Sequence, residues 1–142
     1  GNGKNAVTLP LAELMLPDDL RNNDFVYDYA AKWDVNSPYH KVQYVSPAPS
    51  MSIELSRLIR GQAKRAFVAL EMKDYARFDI RFNQQTNTWF FLEANSNPSI
   101  NPEEATATSA KAYGLGYEMF IKKIFESCIK RSENPAVITA VN

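Results

Sequence analysis

Cysteine, histidine and glycine are scarce in this sequence, and its charges cancel. Cys128 is the single cysteine among 142 residues, which excludes an internal disulfide and a cysteine-rich zinc site. The 16 Lys and Arg balance 16 Asp and Glu, which disfavours a nucleic-acid partner held by bulk charge. No apolar run approaches the roughly 18 residues of a membrane span, and none reads as a secretory signal core. A membrane partner is therefore not expected, and the default reading is a soluble, cytoplasmic domain. With 45% apolar and 23% charged residues, the chain is close to globular averages and is not a disordered or fibrous sequence. Its length suits one domain.

The five glycines are Gly1, Gly3, Gly61, Gly114 and Gly116. A phosphate-cradling loop needs glycines so that backbone N–H groups can approach the anion. Gly3-Lys4 looks like the end of such a loop, but Asn5 replaces the required Ser or Thr and the earlier glycine is missing. If the protein handles a nucleotide, its glycine-rich part is expected elsewhere. The opening Gly1-Asn2-Gly3-Lys4 has no initiator methionine, so the expectation is a processed chain or a piece of a longer one. His40 is the lone histidine. Serine or cysteine catalysis would need it to meet a nucleophile for which no elbow motif exists, so it reads as solvent-exposed.

The order of elements is legible. Residues 7–16 (VTLPLAELML) are apolar with Pro10 inside, which suits an edge strand or two short ones. Residues 34–50 hold three prolines and cannot be a regular helix. Over 51–72, Leu55, Ile59, Ala63, Ala66 and Leu70 recur at helical spacing, flanked by Leu58 and Phe67, with Ser50 or Ser52 as N-cap. Over 75–82 the period becomes two: Phe78, Ile80 and Phe82 point one way, Arg77, Asp79 and Arg81 the other. After a polar reversal at 83–88, parity puts Phe90, Leu92 and Ala94 on one face and Trp89, Phe91, Glu93 and Asn95 on the other. The three aromatics read as core. Asn101-Pro102-Glu103-Glu104 predicts a helix start, with a stop near Gly114. A second helix from Tyr117 is expected to bury Phe120, Ile121, Ile124, Phe125, Cys128 and Ile129, leaving Lys122, Lys123, Lys130 and Arg131 wet. The tail 132–142 carries no signal.

The chemistry concentrates in 77–97. One strand offers Arg77 and Asp79 on a face; its hairpin partner offers Glu93 and Asn95. If the faces coincide, two carboxylates and an amide oxygen converge beside a guanidinium. Such hard oxygen donors suit Mg²⁺, which takes carboxylates plus phosphate oxygens. The alternative is a solvated sheet face bearing a surface ion pair.

These segments resemble the C-terminal half of the ATP-grasp domain of D-alanine–D-alanine ligases. The resemblance runs through Leu9-Pro10-Leu11-Ala12-Glu13-Leu14, Tyr27-Asp28-Tyr29-Ala30-Ala31-Lys32 and Ser46-Pro47-Ala48. It continues through Ala76-Arg77-Phe78-Asp79, Leu92-Glu93-Ala94-Asn95-Ser96-Asn97-Pro98 and Gly114-Leu115-Gly116-Tyr117, and spans about residues 7–131. It implies an α/β (α+β) fold with a mostly antiparallel sheet packed against helices. It also implies a cytoplasmic ligase that joins a carboxylate to an amine with ATP and two Mg²⁺ ions (Mn²⁺ being an alternative), in building peptidoglycan precursors. By the same resemblance, Asp79, Glu93 and Asn95 hold the metal ions, with Asn95 and Arg77 also facing the nucleotide phosphates. Lys32 and the 27–44 loop form a lid that closes over them. Arg77, Lys32 and the backbone of Ser99 serve catalysis. The partner is a small amino-acid or peptide substrate, with room for a homodimer in the full-length protein.

The departures from the family pattern also carry weight. Trp33 stands where the lid motif ends in tyrosine. Ser99 stands where a glycine amide commonly donates to the oxyanion, and its Cβ limits close approach. Counting back from Gly114, Glu104 takes the place of a serine near the second substrate's carboxylate. Either the second substrate is not D-alanine, or Glu104 merely caps the helix. Three functions follow: such a ligase, an ATP-grasp ligase with an altered second substrate, and a non-catalytic module whose acidic face binds a metal or a partner. With no adenine-gripping residues in view, this chain alone is expected to bind ATP poorly and turn nothing over.

Overall fold

Proline and turn residues divide the chain into short segments, of which one pair of strands meets across a tight reversal and the other across a longer stretch of chain. In the computed structural model, the described residues are 1–16, 34, 37 and 42–133. Lys32, Trp33 and His40, most of the 27–44 loop and the tail beyond 133 lie outside them. The architecture is α+β. Strand β1 (Glu13–Met15) pairs antiparallel with β2 (Gln43–Val45), and β3 (Arg77–Asn83) pairs antiparallel with β4 (Thr88–Asn95). The strands thus form two separate two-stranded sheets. Helices α1 (Ile53–Ala69), α2 (Ala105–Ala112) and α3 (Tyr117–Ser132) complete the order. Of the expected 7–16 strand, only the three residues of β1 pair.

Helix α1 begins where Ser52 accepts a hydrogen bond from the Leu55 N–H (3.1 Å). Leu55, Ile59 and Phe67 are buried, whereas Leu58 and Leu70 turn outward. The second helix starts later than Asn101 suggests. Asn101 Oδ1 accepts the Glu103 N–H (3.1 Å) and its carbonyl accepts the Glu104 N–H (3.0 Å), so it closes a turn ahead of the helix. Glu104 is the N-cap, and its side chain makes no capping bond. At the other end the Leu115 N–H reaches the Ala110 carbonyl (2.9 Å) and the Gly114 N–H reaches Lys111 (3.0 Å), the paired bonds of a Schellman stop. Gly114 has φ +92°, and a Cβ there would meet nothing within 4 Å. Gly114→Ala should therefore cost backbone energy alone, about 1 kcal/mol, read as a small drop in thermal midpoint.

Ala107, Ala110 and Phe120 form the core where α2 meets α3, with Leu9, Leu115, Ile121 and Ile124 against them. The expected buried stripe of α3 fails beyond its first turns: Phe125 is 65% exposed, and Cys128 and Ile129 are also exposed. The eight-residue α2 is too short to cover a helix of sixteen. Ser127 is buried instead, because its hydroxyl serves a polar joint at Asp74.

That joint fixes the entry to β3. Asp74 has φ +63°, which a short polar residue tolerates. Its carboxylate accepts Arg131 Nη2 (2.8 Å), Asn2 Nδ2 (3.0 Å) and the Ser127 hydroxyl (3.2 Å), while its own N–H donates to Asn2 Oδ1 (2.6 Å). Burial alone would raise the Asp74 pKa. The hydrogen bonds of Arg131 and Asn2, the Arg131 charge and the Ser127 hydroxyl outweigh it and hold the group below its usual value.

Candidate active site

The β3–β4 hairpin closes through Asn83, whose Oδ1 accepts the N–H groups of Gln85 (3.0 Å) and Thr86 (3.1 Å). Asn87, at φ +55°, completes the reversal. The register places Arg77 opposite Asn95 and Asp79 opposite Glu93. Directly opposite residues share a face, so the two carboxylates, the amide and the guanidinium do converge.

Beyond that rung the register slips. Ile80 faces Phe91, Arg81 faces Phe90 and Phe82 faces Trp89, so Leu92 has no partner. This bulge reverses the parity of β4. Trp89 and Phe91 therefore lie with Phe78, Ile80 and Phe82, not with Glu93 and Asn95. The Phe78 and Phe91 ring centroids are 5.5 Å apart, and Trp89 meets Phe91 edge-on at 5.2 Å. Phe90 joins the polar face, and it and Leu92 are 65% and 67% exposed. Of the three aromatics expected in the core, Trp89 and Phe91 are half-buried and Phe90 is exposed.

Arg77 grips Asp79 with two bonds, Nε to Oδ1 at 2.6 Å and Nη2 to Oδ2 at 3.0 Å. Burial alone would lower the Arg77 pKa; the hydrogen bonds and charge of Asp79, helped by Tyr44 and Glu104, outweigh it and raise the group above its usual value. Glu104 is thus close enough for its charge to be felt at Arg77. Glu93 is exposed, and its side chain makes no hydrogen bond or ion pair among the described residues. Asn95 Oδ1 accepts the Asn97 N–H (2.9 Å), and Ser99 Oγ accepts the Asn101 N–H (3.2 Å). Arg77, Asp79, Glu93, Asn95, Ser99 and Glu104 all line one open cavity of about 2230 Å³. Among the described residues no three His, Cys, Asp or Glu side chains gather into a metal cage; the hairpin supplies two carboxylates and one amide. Parity reasoning brings Arg77, Asp79, Glu93 and Asn95 to one face, but gives no sign of the bonds that Asp74, Tyr75 and Asn97 make beyond the ladder.

The family described as "D-ala D-ala ligase C-terminus" matches residues 8–126. The chain belongs to the D-alanine–D-alanine ligase C-terminal family. This family is the C-terminal part of the ATP-grasp domain, and its matched stretch contains every described candidate residue of the hairpin and of the loop after it. A D-alanine–D-alanine ligase of Nitrosospira multiformis is 34% identical over 118 residues, covering 83% of this chain and 35% of that protein. One of Herminiimonas arsenicoxydans is 31% identical over 127 residues, covering 89% of this chain and 35% of that protein. The chain thus spans about a third of the length of the curated relatives it matches.

Proposed function

We propose that this chain is the metal- and phosphate-binding part of an ATP-dependent carboxylate–amine ligase of the D-alanine–D-alanine type, working in the cytoplasm on peptidoglycan precursors. The observation that carries this reading is the Asp79–Glu93 rung, with Arg77 and Asn95 on the next rung of the same face. No helix among the described residues is long and apolar enough to cross a membrane.

The donor set fits magnesium. Two carboxylates and an amide oxygen on one ribbon face leave the remaining coordination positions to phosphate oxygens and water, which is how Mg²⁺ is ordinarily held beside a nucleotide. Asp79, Glu93 and Asn95 are the residues that would hold magnesium. When bound, such ions neutralise the phosphate oxygens and orient the group being transferred.

The reaction passes the γ-phosphoryl group of ATP to a substrate carboxylate, and an amine then displaces phosphate from the acyl phosphate. Arg77 faces the transferring phosphoryl group and the developing oxyanion, where a fixed cation lowers the barrier most. Until ligand arrives, Arg77 and Asp79 neutralise each other, so each exchanges one partner for another on binding. Lys32, which lies outside the described residues, would supply a second cation to the phosphates. The Ser99 backbone N–H donates to the oxyanion. Little covalent work falls to the protein; positioning and electrostatics do most of it.

A second reading concerns the acceptor amine. Glu104 makes no capping bond at the N-cap it occupies, yet its charge acts at Arg77. A carboxylate there repels a substrate carboxylate, which favours an acceptor other than free D-alanine. Assaying ADP release by the full-length enzyme with D-alanine decides it. Robust formation of D-alanyl-D-alanine supports the first reading and removes the second. ADP release only with another amine-bearing acceptor does the reverse, and no ATP-dependent ligation with any amino acid removes both.

A further inference from the structure

The β3–β4 ladder ends at the Arg77–Asn95 rung, at the edge of the charged face. Continuing the register by two residues on each strand sets Tyr75 against Asn97. There the backbone no longer pairs, and Pro98, buried just beyond, has no N–H with which to extend the ladder. The two side chains bond instead: the Tyr75 hydroxyl donates to Asn97 Oδ1 at 2.6 Å. From the other side, the Asn97 N–H donates to Asn95 Oδ1 at 2.9 Å. A chain of two hydrogen bonds therefore runs from the entry of β3 to the one amide oxygen of the charged face.

We infer that Tyr75 and Asn97 are positioning residues for Asn95, and that their side-chain rung sets the affinity of the hairpin for a divalent cation. The inference rests on the proposed role of Asn95 as a metal ligand. An amide oxygen has two acceptor positions. The Asn97 N–H occupies one and restrains the side chain, leaving the other free on the face that carries Asp79 and Glu93. Asn97 in turn lies in an exposed loop, and the phenol holds its side chain. Tyr75 follows Asp74, whose carboxylate is tied to α3 and to Asn2, so the phenol stands on a fixed base. Partners that orient a ligand in this way typically change metal affinity by about 10- to 100-fold when removed.

The test is Mn²⁺ binding to the full-length protein with a non-hydrolysable ATP analogue, followed by electron paramagnetic resonance. Tyr75→Phe removes only the hydroxyl. It should weaken Mn²⁺ binding about 10-fold, raise the metal concentration for half-maximal turnover in parallel, and leave kcat at saturating metal and the thermal midpoint near wild type. Asn97→Ala should weaken binding comparably, and the double variant should be no worse than the weaker single one, because both break one chain. Wild-type Mn²⁺ affinity in Tyr75→Phe, with affinity lost in Asn95→Ala, overturns the positioning role alone. Wild-type affinity in Asn95→Ala overturns the ligand assignment beneath it. A lowered thermal midpoint with unchanged metal affinity assigns the rung to stability and also overturns the inference.

Discussion

Asp79→Asn in the full-length enzyme should lower kcat by about 10²- to 10³-fold while the protein remains folded. The substitution keeps the size of the side chain and removes the charge that a divalent cation needs. It also loosens the two-bonded grip of Arg77, so part of the loss could come from a misplaced guanidinium. Glu93→Gln separates the two effects. Glu93 is exposed and its side chain makes no hydrogen bond or ion pair among the described residues, so changing it disturbs no side-chain bond. A fall in turnover of similar size in Glu93→Gln, with unchanged thermal midpoint, assigns the effect to cation binding. Wild-type turnover by Asp79→Asn removes the metal role altogether.

The second large effect is on stability. Asp74→Ala should destabilise the chain by about 2 kcal/mol, because one carboxylate serves Arg131, Ser127 and Asn2 and alanine is strained at positive φ. Asp74→Asn keeps the turn geometry and removes only the charge, so it should cost less. Because the folded state holds the Asp74 pKa low, its ionised form contributes stability that is complete above the ordinary carboxylate range, near pH 4. That contribution is lost as pH falls from there through the depressed folded value. Urea unfolding between pH 7 and pH 3 should therefore show a steeper loss of stability in the wild type than in Asp74→Asn. Parallel pH profiles for the two proteins would remove Asp74 from the acid response.

Features governed by neighbouring residues were legible in the sequence. Ser52 caps α1, Gly114 stops α2, and the polar run at 83–88 reverses the hairpin, because each acts through side chains and dihedrals within a few positions. The convergence of Asp79 with Glu93 was legible too, since both lie on the Asn95 side of the register shift, where period two holds. Trp89, Phe90 and Phe91 were misassigned because an unpartnered residue leaves no mark in alternation. The burial of Cys128 and Phe125 was misread because periodicity shows which residues could share a face, not how long the covering helix is. Asp74, Asn2 and Arg131 meet across 72 and 57 positions, a distance over which no local pattern speaks.

Leu92 also gives the hairpin mechanical properties. An unopposed residue bends its strand and increases the local twist, so the ribbon is creased between the Asp79–Glu93 rung and the Ile80–Phe91 rung. The strand also holds one residue more than the ladder uses. Deleting Leu92 should therefore leave the Asp79–Glu93 rung and every pair toward the turn in place, in one unbroken register.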